Sequence, residues 1–312
     1  MEDKINKLGL VNKLDPEREV IIKEAGAKLG INTTGELLDP RFDYVFKRIF
    51  TAQEKESKAA LIDFLNSVLF FGGVNKITDL TVVNNEIPVE AYKQKKSRFD
   101  IKVIFENGEQ ALVEMEFRAK DDFIKRSLHN ISRMISAQPM NRLDYRKLKR
   151  CYMIGIMGYN LLDDDFGYLS TFTFRDERGR ELSGDMQITY LELEKISSLL
   201  EKPTEELTNA DLWAIFLRYS ADNDKRQVLE KISEKNGGVK MAVDVLKYMS
   251  KSDIERMWYE DEILAEIDQE AEISYRAKEI AKNLIIEGDS IEKISRVTGF
   301  TIEEIETLRE NN

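Results

Sequence analysis

Acidic side chains and a lysine recur at alternate positions on either side of an Asn-Gly dipeptide at positions 107 and 108. Asp100 and Lys102 precede this dipeptide, and Glu114 and Glu116 follow it. Apolar residues occupy the odd positions of both segments, which is typical of strands with one buried face. A two-residue loop would pair odd with even positions and expose one apolar set. We therefore predict an odd-length loop or a bulge, which places the four polar side chains on one face.

Carboxylates grouped on a strand pair have two interpretations. They can be ordinary solvated side chains, since short motifs often match by chance. Alternatively, they can bind Mg²⁺ or Mn²⁺, because hard cations take carboxylate oxygens, water and substrate phosphate and need no histidine or cysteine. Such an ion activates water and stabilises charge on phosphate oxygens. The second interpretation corresponds to phosphodiester hydrolysis.

Composition removes several other kinds of chemistry. The 312 residues contain one cysteine, Cys151, and one histidine, His129. An internal disulfide, a multi-cysteine metal cage and a two-histidine zinc site are therefore excluded. We interpret Cys151 as a buried small apolar group and His129 as an exposed helix residue. No apolar run approaches the roughly 20 residues of a membrane span, and the amino end lacks a secretory profile, so we expect a cytoplasmic protein without membrane contact.

Charge is unevenly distributed along the chain. The formal net charge is -11, which is unusual for a protein that binds nucleic acid. However, residues 90–150 carry 15 basic and 9 acidic side chains, whereas residues 201–312 carry 16 basic and 26 acidic ones. Local charge sets the local potential, so the middle of the chain is the part suited to phosphates.

The elements that must position these residues follow from hydrophobic periodicity. We predict helices over Glu17–Leu29, from just after Asp39-Pro40, and over Lys58–Val68, Asp121–Ser136, Ala210–Tyr219, Val228–Glu234, Val239–Met249, Ile254–Ile263, Ser290–Val297 and Thr301–Arg309. We predict strands over Ile77–Val83, Phe99–Phe105, Ala111–Phe117, Cys151–Tyr159, Tyr168–Phe174 and Ile188–Leu193. This pattern indicates an α/β (α+β) core with a mixed β-sheet, followed by a helical region.

Four regions follow from this pattern of elements. They are an N-terminal helical extension (1–35), the α/β core (36–200), a helical region (201–272) and a helix-turn-helix-like tail (273–312). The last helix of the tail carries Glu303, Glu304, Glu306 and Glu310 against Arg309 alone. Phosphates repel such a helix, so we interpret the tail as a packing or oligomerisation element, and a homo-oligomer through the C-terminal helices is an expectation.

Several sequence blocks carry a resemblance to a known family. They are Leu38-Asp39-Pro40-Arg41-Phe42-Asp43-Tyr44-Val45-Phe46-Lys47, Leu61-Ile62-Asp63-Phe64-Leu65-Asn66, Asn85-Glu86-Ile87-Pro88, Lys96-Ser97-Arg98-Phe99-Asp100, Val113-Glu114-Met115-Glu116 and Tyr190-Leu191-Glu192-Leu193. Over about residues 36–312 the chain resembles the PD-(D/E)XK nuclease family transposases, also called the Rpn family of recombination-promoting nucleases. The first block is the most specific part.

The resemblance implies a restriction-endonuclease-like core that cleaves DNA with Mg²⁺ or Mn²⁺. Asp100 aligns with the motif aspartate and Glu114 with the motif acid, and both would be metal ligands. The carbonyl oxygen of Met115 would be a third. Asp43 and Lys47, one helical turn apart, resemble the polar pair of the family's first helix, although a surface ion pair explains them equally well.

Glu116 departs from the family pattern. The superfamily usually has lysine at this position and this family has glutamine, whereas a glutamate adds negative charge beside two carboxylates. Glu116 could bind a second ion, act as a general base or mark a weakened enzyme. Lys102, on the neighbouring strand, is our candidate substitute for the missing lysine.

Basic residues around the motif complete the prediction. We expect DNA-phosphate contacts from Lys96, Arg98, Lys120, Lys125, Arg126 and Arg133. The leading hypothesis is thus a metal-dependent DNA endonuclease associated with transposition or recombination. A catalytically degraded nuclease fold that acts as a nucleic-acid or protein interaction module is the alternative, and a helical assembly protein is a third reading that the basic middle segment disfavours.

Overall fold

The computed structural model describes residues 16–29, 33, 35–52, 54–70, 72, 76–83, 101–139 and 144–310. The described helices are α1 (Pro16–Leu29), α2 (Asp43–Thr51), α3 (Lys55–Val68), α4 (Phe123–Ser136), α5 (Asn209–Tyr219), α6 (Arg226–Lys235), α7 (Gly237–Ser250), α8 (Asp253–Ile286), α9 (Ile291–Thr298) and α10 (Ile302–Glu310). The strands are β1 (Leu80–Val82), β2 (Ile101–Phe105), β3 (Gln110–Glu116), β4 (Cys151–Met157), β5 (Leu169–Arg175) and β6 (Glu181–Glu192).

The chain divides into two units. One unit contains residues 32–259 and holds the whole sheet, and the other contains residues 1–31 and 260–312. The predicted boundary between core and helical region, at residue 200, lies inside the first of these units. None of the described helices has an apolar stretch long enough to cross a membrane.

The six strands form one mixed sheet in the order β1-β2-β3-β4-β6-β5. The three central strands, β3, β4 and β6, are parallel, while β1, β2 and β5 pair antiparallel with their neighbours. β4 is buried along its full length, as its continuous apolar sequence predicts. The predicted α/β fold with a mixed sheet and flanking helices is confirmed.

The hairpin between β2 and β3 has the predicted odd-length loop. The Phe105 amide donates to the Glu109 carbonyl at 2.8 Å, so the loop contains residues 106–108. Gly108 has a φ of 84°, a conformation that glycine adopts without steric cost. Ile101 therefore faces Val113 and Lys102 faces Leu112, which puts the odd-numbered apolar residues of both strands on one face.

Helix α4 lies in the connection between parallel strands β3 and β4, and it packs on β4 and β6. A β-carbon at Gly155 would lie 2.7 Å from the Phe123 ring, so the first turn of α4 rests on the strand backbone at this glycine. Leu128 on this helix is 49% exposed. The helix turns Ser127 and Asn130 inward, where the sheet supplies polar partners for both.

Helix α2 begins at Asp43, two residues later than the predicted start just after Asp39-Pro40. The Asp39 carboxylate accepts the backbone N–H of Arg41 at 2.9 Å and binds its guanidinium, so residues 39–41 form a turn ahead of the helix. Phe42 caps the helix and stacks on Phe117, with ring centroids 5.2 Å apart. The first sequence block is thereby brought to the end of β3.

The other side of the sheet carries an aromatic core built from helices. Phe50, Phe64 and Trp213 contact one another with ring centroids 5.3 to 5.6 Å apart. The Trp213 indole also donates to Asp63 at 2.7 Å. This packing joins α2, α3 and α5 into one layer and fixes the position of α2 against β3.

The C-terminal part is helical, as predicted. The predicted helix at Ile254–Ile263 and the acidic stretch after it are one 34-residue helix, α8. The predicted helix pair at the end is present as α9 and α10, joined at Gly299 with a φ of 77°. Ala281, Ile294 and Ile305 form its small core, whereas Val297 and Ile302 are exposed.

Candidate active site

Two acidic side chains lie near the carboxyl ends of the parallel strands. Glu116 is in register with Met157 and Glu192. Two residues earlier along the strands, Glu114 is in register with Gly155 and Tyr190. Glu114 and Glu116 are two residues apart, so both side chains project from the face of β3 that α4 covers. In open α/β sheets, the carboxyl ends of parallel strands are the usual place for a ligand site.

Glu114 is a buried carboxylate with polar partners on α4. Its side chain is 6% exposed. Asn130 donates from Nδ2 to its Oε1 at 2.5 Å, and the Arg126 Nε lies 3.6 Å from its Oε2. A buried carboxylate is stable only when such groups offset the loss of hydration. The two partners, one helical turn apart, therefore orient the Glu114 carboxylate.

Glu116 is paired with two cations. Arg126 hydrogen-bonds to its Oε2, and the Lys120 Nζ lies 2.5 Å from its Oε1. The Arg126 guanidinium also lies over the Phe123 ring, 5.0 Å from its centroid, and 3.6 Å from Asp122. Burial works against the charge of Arg126, but Glu116, Glu114 and Asp122 together raise its pKa above the ordinary value. The negative charge that Glu116 adds to the site is thus compensated locally.

Two tyrosines border the carboxylates. Burial, with a smaller effect of the Glu116 charge, raises the pKa of Tyr159 to about 12. Burial also raises the pKa of Tyr190, and a hydrogen bond with Ser127 acts against this increase. Both phenols therefore remain protonated at neutral pH and act as neutral walls of the site.

A buried ion pair anchors the loop that follows β4. The Glu192 carboxylate, which is fully buried, accepts the backbone N–H groups of Leu161 and Leu162 at 2.6 and 3.0 Å. Lys195 lies 3.1 Å from Glu192 and donates to the carbonyls of Leu162 and Asp163 at 2.9 Å. This pair fixes residues 158–168, including Tyr159, beside the carboxyl ends of the central strands.

The carboxylate and carbonyl oxygens near the end of β3 are ligand atoms of the kind that a hard cation binds. The Glu116 carbonyl and the Gln110 amide form their hydrogen bonds on the edge of β3 that faces β4. The Glu109 carbonyl forms its hydrogen bond on the edge that faces β2. Backbone groups alternate along a strand, so the Met115 carbonyl faces the β2 side, beyond the last described pair of that ladder. A carboxylate and a carbonyl oxygen are ligands that Mg²⁺ or Mn²⁺ accepts. Within the described residues, however, no three His, Cys, Asp or Glu side chains form a metal-sized group.

The structure places the predicted site residues as follows. Asp100, Lys96 and Arg98 lie outside the described residues. Lys102 is half-buried opposite Leu112, on the same face as Glu114 but further from the strand ends. The described cations that contact Glu116 are Arg126 and Lys120. The role of Lys102 as a substitute for the motif lysine stays a prediction.

The other predicted residues divide between surface and interior. Lys125 and Arg133 are exposed on α4, and Lys120 is 45% exposed. Asp43 is half-buried and Lys47 is 3% exposed, so Lys47 is not a surface residue as the simple ion-pair interpretation requires. His129 is exposed and Cys151 is buried, as predicted, and burial raises the pKa of the Cys151 thiol.

Sequence reasoning missed Asn130 and the contact of Arg126 with Glu114. A signal for both exists in the sequence, since Arg126 and Asn130 are four residues apart and Asn130 interrupts the apolar stripe of Phe123, Ile131 and Met134. A polar side chain on a buried helix face usually has a polar partner. The identity of that partner depends on tertiary packing.

The mixed six-stranded sheet with flanking helices is consistent with a PD-(D/E)XK nuclease-like α/β fold. Residues 40–276 match the family model described as "PD-(D/E)XK nuclease family transposase". The chain belongs to this family. Searches among curated proteins and among solved structures find no match.

Proposed function

We propose that this protein is a metal-dependent DNA endonuclease that hydrolyses phosphodiester bonds in a process associated with transposition or recombination. The observation that carries the proposal is the buried Glu114 carboxylate at the carboxyl end of β3, held by Asn130 and Arg126. A carboxylate that polar neighbours hold in position is the kind of ligand that a divalent cation binds. The family membership supports the same chemistry.

The proposed ligands are Asp100, Glu114 and the Met115 carbonyl, with Mg²⁺ or Mn²⁺ as the ion. Asp100 directly precedes Ile101, the first residue of β2, in the sequence. Its role as a ligand rests on the sequence and on the family resemblance. When bound, the ion supplies charge stabilisation at the phosphate and a more acidic water. Asn130 keeps the Glu114 carboxylate oriented for this task, and Tyr159 and Tyr190 limit access of bulk water.

DNA phosphates are the proposed partners of the basic side chains around the site. Lys120, Lys125 and Arg133 are accessible on or next to α4, and Lys96, Arg98 and Lys102 extend the set. Such contacts give affinity without sequence preference. A role of Asp43 and Lys47 at the metal, a cytoplasmic location and a homo-oligomer through the C-terminal helices belong to the same proposal.

Plasmid nicking tests the proposal. Supercoiled plasmid is incubated with the purified protein and Mg²⁺ or Mn²⁺, in parallel with the variants Asp100→Ala and Glu114→Gln and with Glu177→Gln, a matched change at an exposed turn. We expect nicking by the wild type and by Glu177→Gln, its loss in the other two variants, and its loss and recovery when EDTA and then excess metal are added. Nicking that survives in Asp100→Ala would refute this assignment of the site.

Glu116 favours a second candidate function. A glutamate at the motif lysine position is the sequence feature expected of a degraded site, in which the fold serves as a nucleic-acid or protein interaction module. This candidate predicts duplex binding without nicking at any metal concentration. The variant Glu116→Gln separates the candidates further, because a gain in nicking rate would identify the glutamate as an impairment of an active nuclease.

A further inference from the structure

Arg126 contacts the Glu114 and Glu116 carboxylates at once. Its guanidinium hydrogen-bonds to Glu116 through Nη2, and its Nε lies 3.6 Å from Glu114. The side chain is 22% exposed and lies over the Phe123 ring, so its position is constrained by packing. An arginine fork is suited to such bridging, because its donors are planar and its charge is permanent.

Arg126 is the cation that the two carboxylates share. Glu116 has a hydrogen bond from Arg126 and an ion pair with Lys120. Glu114 accepts a hydrogen bond from the Asn130 amide at 2.5 Å, and the Arg126 Nε lies 3.6 Å from it. A divalent ion beside Glu114 would lie close to the Arg126 guanidinium, so the two cations repel each other there.

We propose that Arg126 is the resident cation of this site: without a divalent ion it neutralises Glu114 and Glu116 together, and the ion binds Glu114 in competition with it. Glu116 then acts as the anchor of Arg126 and is not itself a metal ligand. This inference rests on the proposed function, since it assumes that Glu114 is a ligand. It also explains why a glutamate is tolerated at the motif lysine position, because Arg126 and Lys120 supply the missing positive charge there.

Calorimetric titration with Mn²⁺, without DNA, tests the inference. The proteins are the wild type, Arg126→Gln, Glu116→Gln, the double variant Arg126→Gln/Glu116→Gln and Glu114→Gln. Lys240→Gln, an exposed lysine on α7, is the control with the same change in charge as Arg126→Gln. Arg126→Lys keeps the charge but loses the fork, and circular dichroism melting establishes that every variant is folded.

Arg126→Gln is expected to bind Mn²⁺ about fivefold more tightly than the wild type, because a positive charge near Glu114 is removed in a partly solvated site. Lys240→Gln and Arg126→Lys are expected to stay within about twofold of the wild type. Glu116→Gln is expected to bind more weakly, since Arg126 then pairs with Glu114 alone. The double variant is expected to return to within about threefold of the wild type, because both opposing charges are gone.

Two results would overturn the inference while leaving the proposed function in place. One is Mn²⁺ binding that depends on Glu114 but does not tighten in Arg126→Gln. The other is a double variant that binds more than about tenfold more weakly than the wild type, which would make Glu116 a ligand. Absence of Mn²⁺ binding in every protein, Arg126→Gln included, would instead contradict both the inference and the proposed function.

Discussion

At the scale of single residues, the site is determined by how buried charges are paired. Leaving a buried carboxylate without a partner costs about 3 to 5 kcal/mol, so each acidic side chain near the strand ends needs a nearby donor. Asn130 serves Glu114, Lys120 serves Glu116, and Arg126 serves both. Two residues of the following segment, Lys120 and Arg126, therefore place positive charge beside Glu116.

Tyr159 gives a prediction on pH dependence. Its pKa is raised to about 12 in the folded protein, against an ordinary value of about 10. The unfolded chain therefore releases the phenolic proton first, so the stabilisation from Tyr159 is complete below pH 10 and is lost as the pH rises towards 12. We therefore expect the difference in melting temperature, Tyr159→Phe minus wild type, to be larger at pH 11 than at pH 9.

The measurement is differential scanning fluorimetry of both proteins over that pH range. Tyr145→Phe is the control, because Tyr145 is 62% exposed. Its difference from the wild type should not change with pH. A constant difference for Tyr159→Phe as well would show that the phenol titrates alike in the folded and unfolded chains.

At the scale of elements, much of the fold follows from local patterns. Alternation along β2 and β3 determined which face is buried, and it required the odd-length loop that Gly108 completes. The start of β6 was not predictable in this way, because residues 181–187 are mostly polar and the first of them become a strand through pairing with β5. The start of α2 was missed because the Asp39 side chain competes for backbone hydrogen bonds near Arg41.

The candidate site was predictable only in part, for a related reason. Residue types and spacing indicated Glu114 and Glu116, since both belong to one strand. Their partners come from α4 after a chain reversal, and no local pattern specifies which α4 side chain meets which carboxylate. Rotation of α4 about its axis decides this, and packing of Phe123 against Gly155 sets that rotation.

Gly155 therefore provides a test at the scale of elements. In Gly155→Ala the added methyl group would lie 2.7 Å from the Phe123 ring and 3.0 Å from the Tyr190 ring. We expect a loss of about 1 to 3 kcal/mol in the free energy of unfolding, because the core is overpacked at this point.

Urea denaturation followed by circular dichroism measures the loss. Gly237→Ala is the matched control, since no atom lies within 4 Å of a β-carbon at that position in the first turn of α7. It should leave stability unchanged or slightly raised. Equal stabilities of the two variants would mean that α4 tolerates a shift at Gly155 and does not depend on it for its orientation.

The anchored loop after β4 gives the second test at this scale. Lys195→Met would leave the fully buried Glu192 carboxylate without its cation. We expect a loss of about 3 kcal/mol, measured by urea denaturation, together with faster amide exchange in residues 158–168. Lys202→Met, at an exposed lysine just beyond Glu201, should change neither. Slow exchange in the loop of Lys195→Met would show that Glu192 and the apolar contacts hold it without Lys195.

At the scale of the whole molecule, positive charge is concentrated in one part of the sequence. Residues 90–150 have an excess of basic side chains, and residues 201–312, the acidic part, have an excess of acidic ones. The basic segment includes β3 and α4 of the candidate site, so under the proposed function the local potential there attracts a polyanion. The net charge of -11 is therefore compatible with the DNA substrate that we propose.

Salt dependence of DNA binding tests this view. In buffer with EDTA, the logarithm of the affinity for a short duplex should fall linearly with the logarithm of the salt concentration, by about 0.9 per phosphate contact. The double variant Lys125→Gln/Arg133→Gln removes two exposed cations of α4 and should reduce the slope by about 2. Lys240→Gln/Lys247→Gln removes two exposed cations of α7 in the acidic part and should leave the slope unchanged. If both variants reduced the slope equally, the total charge of the protein, and not the surface around α4, would govern DNA binding.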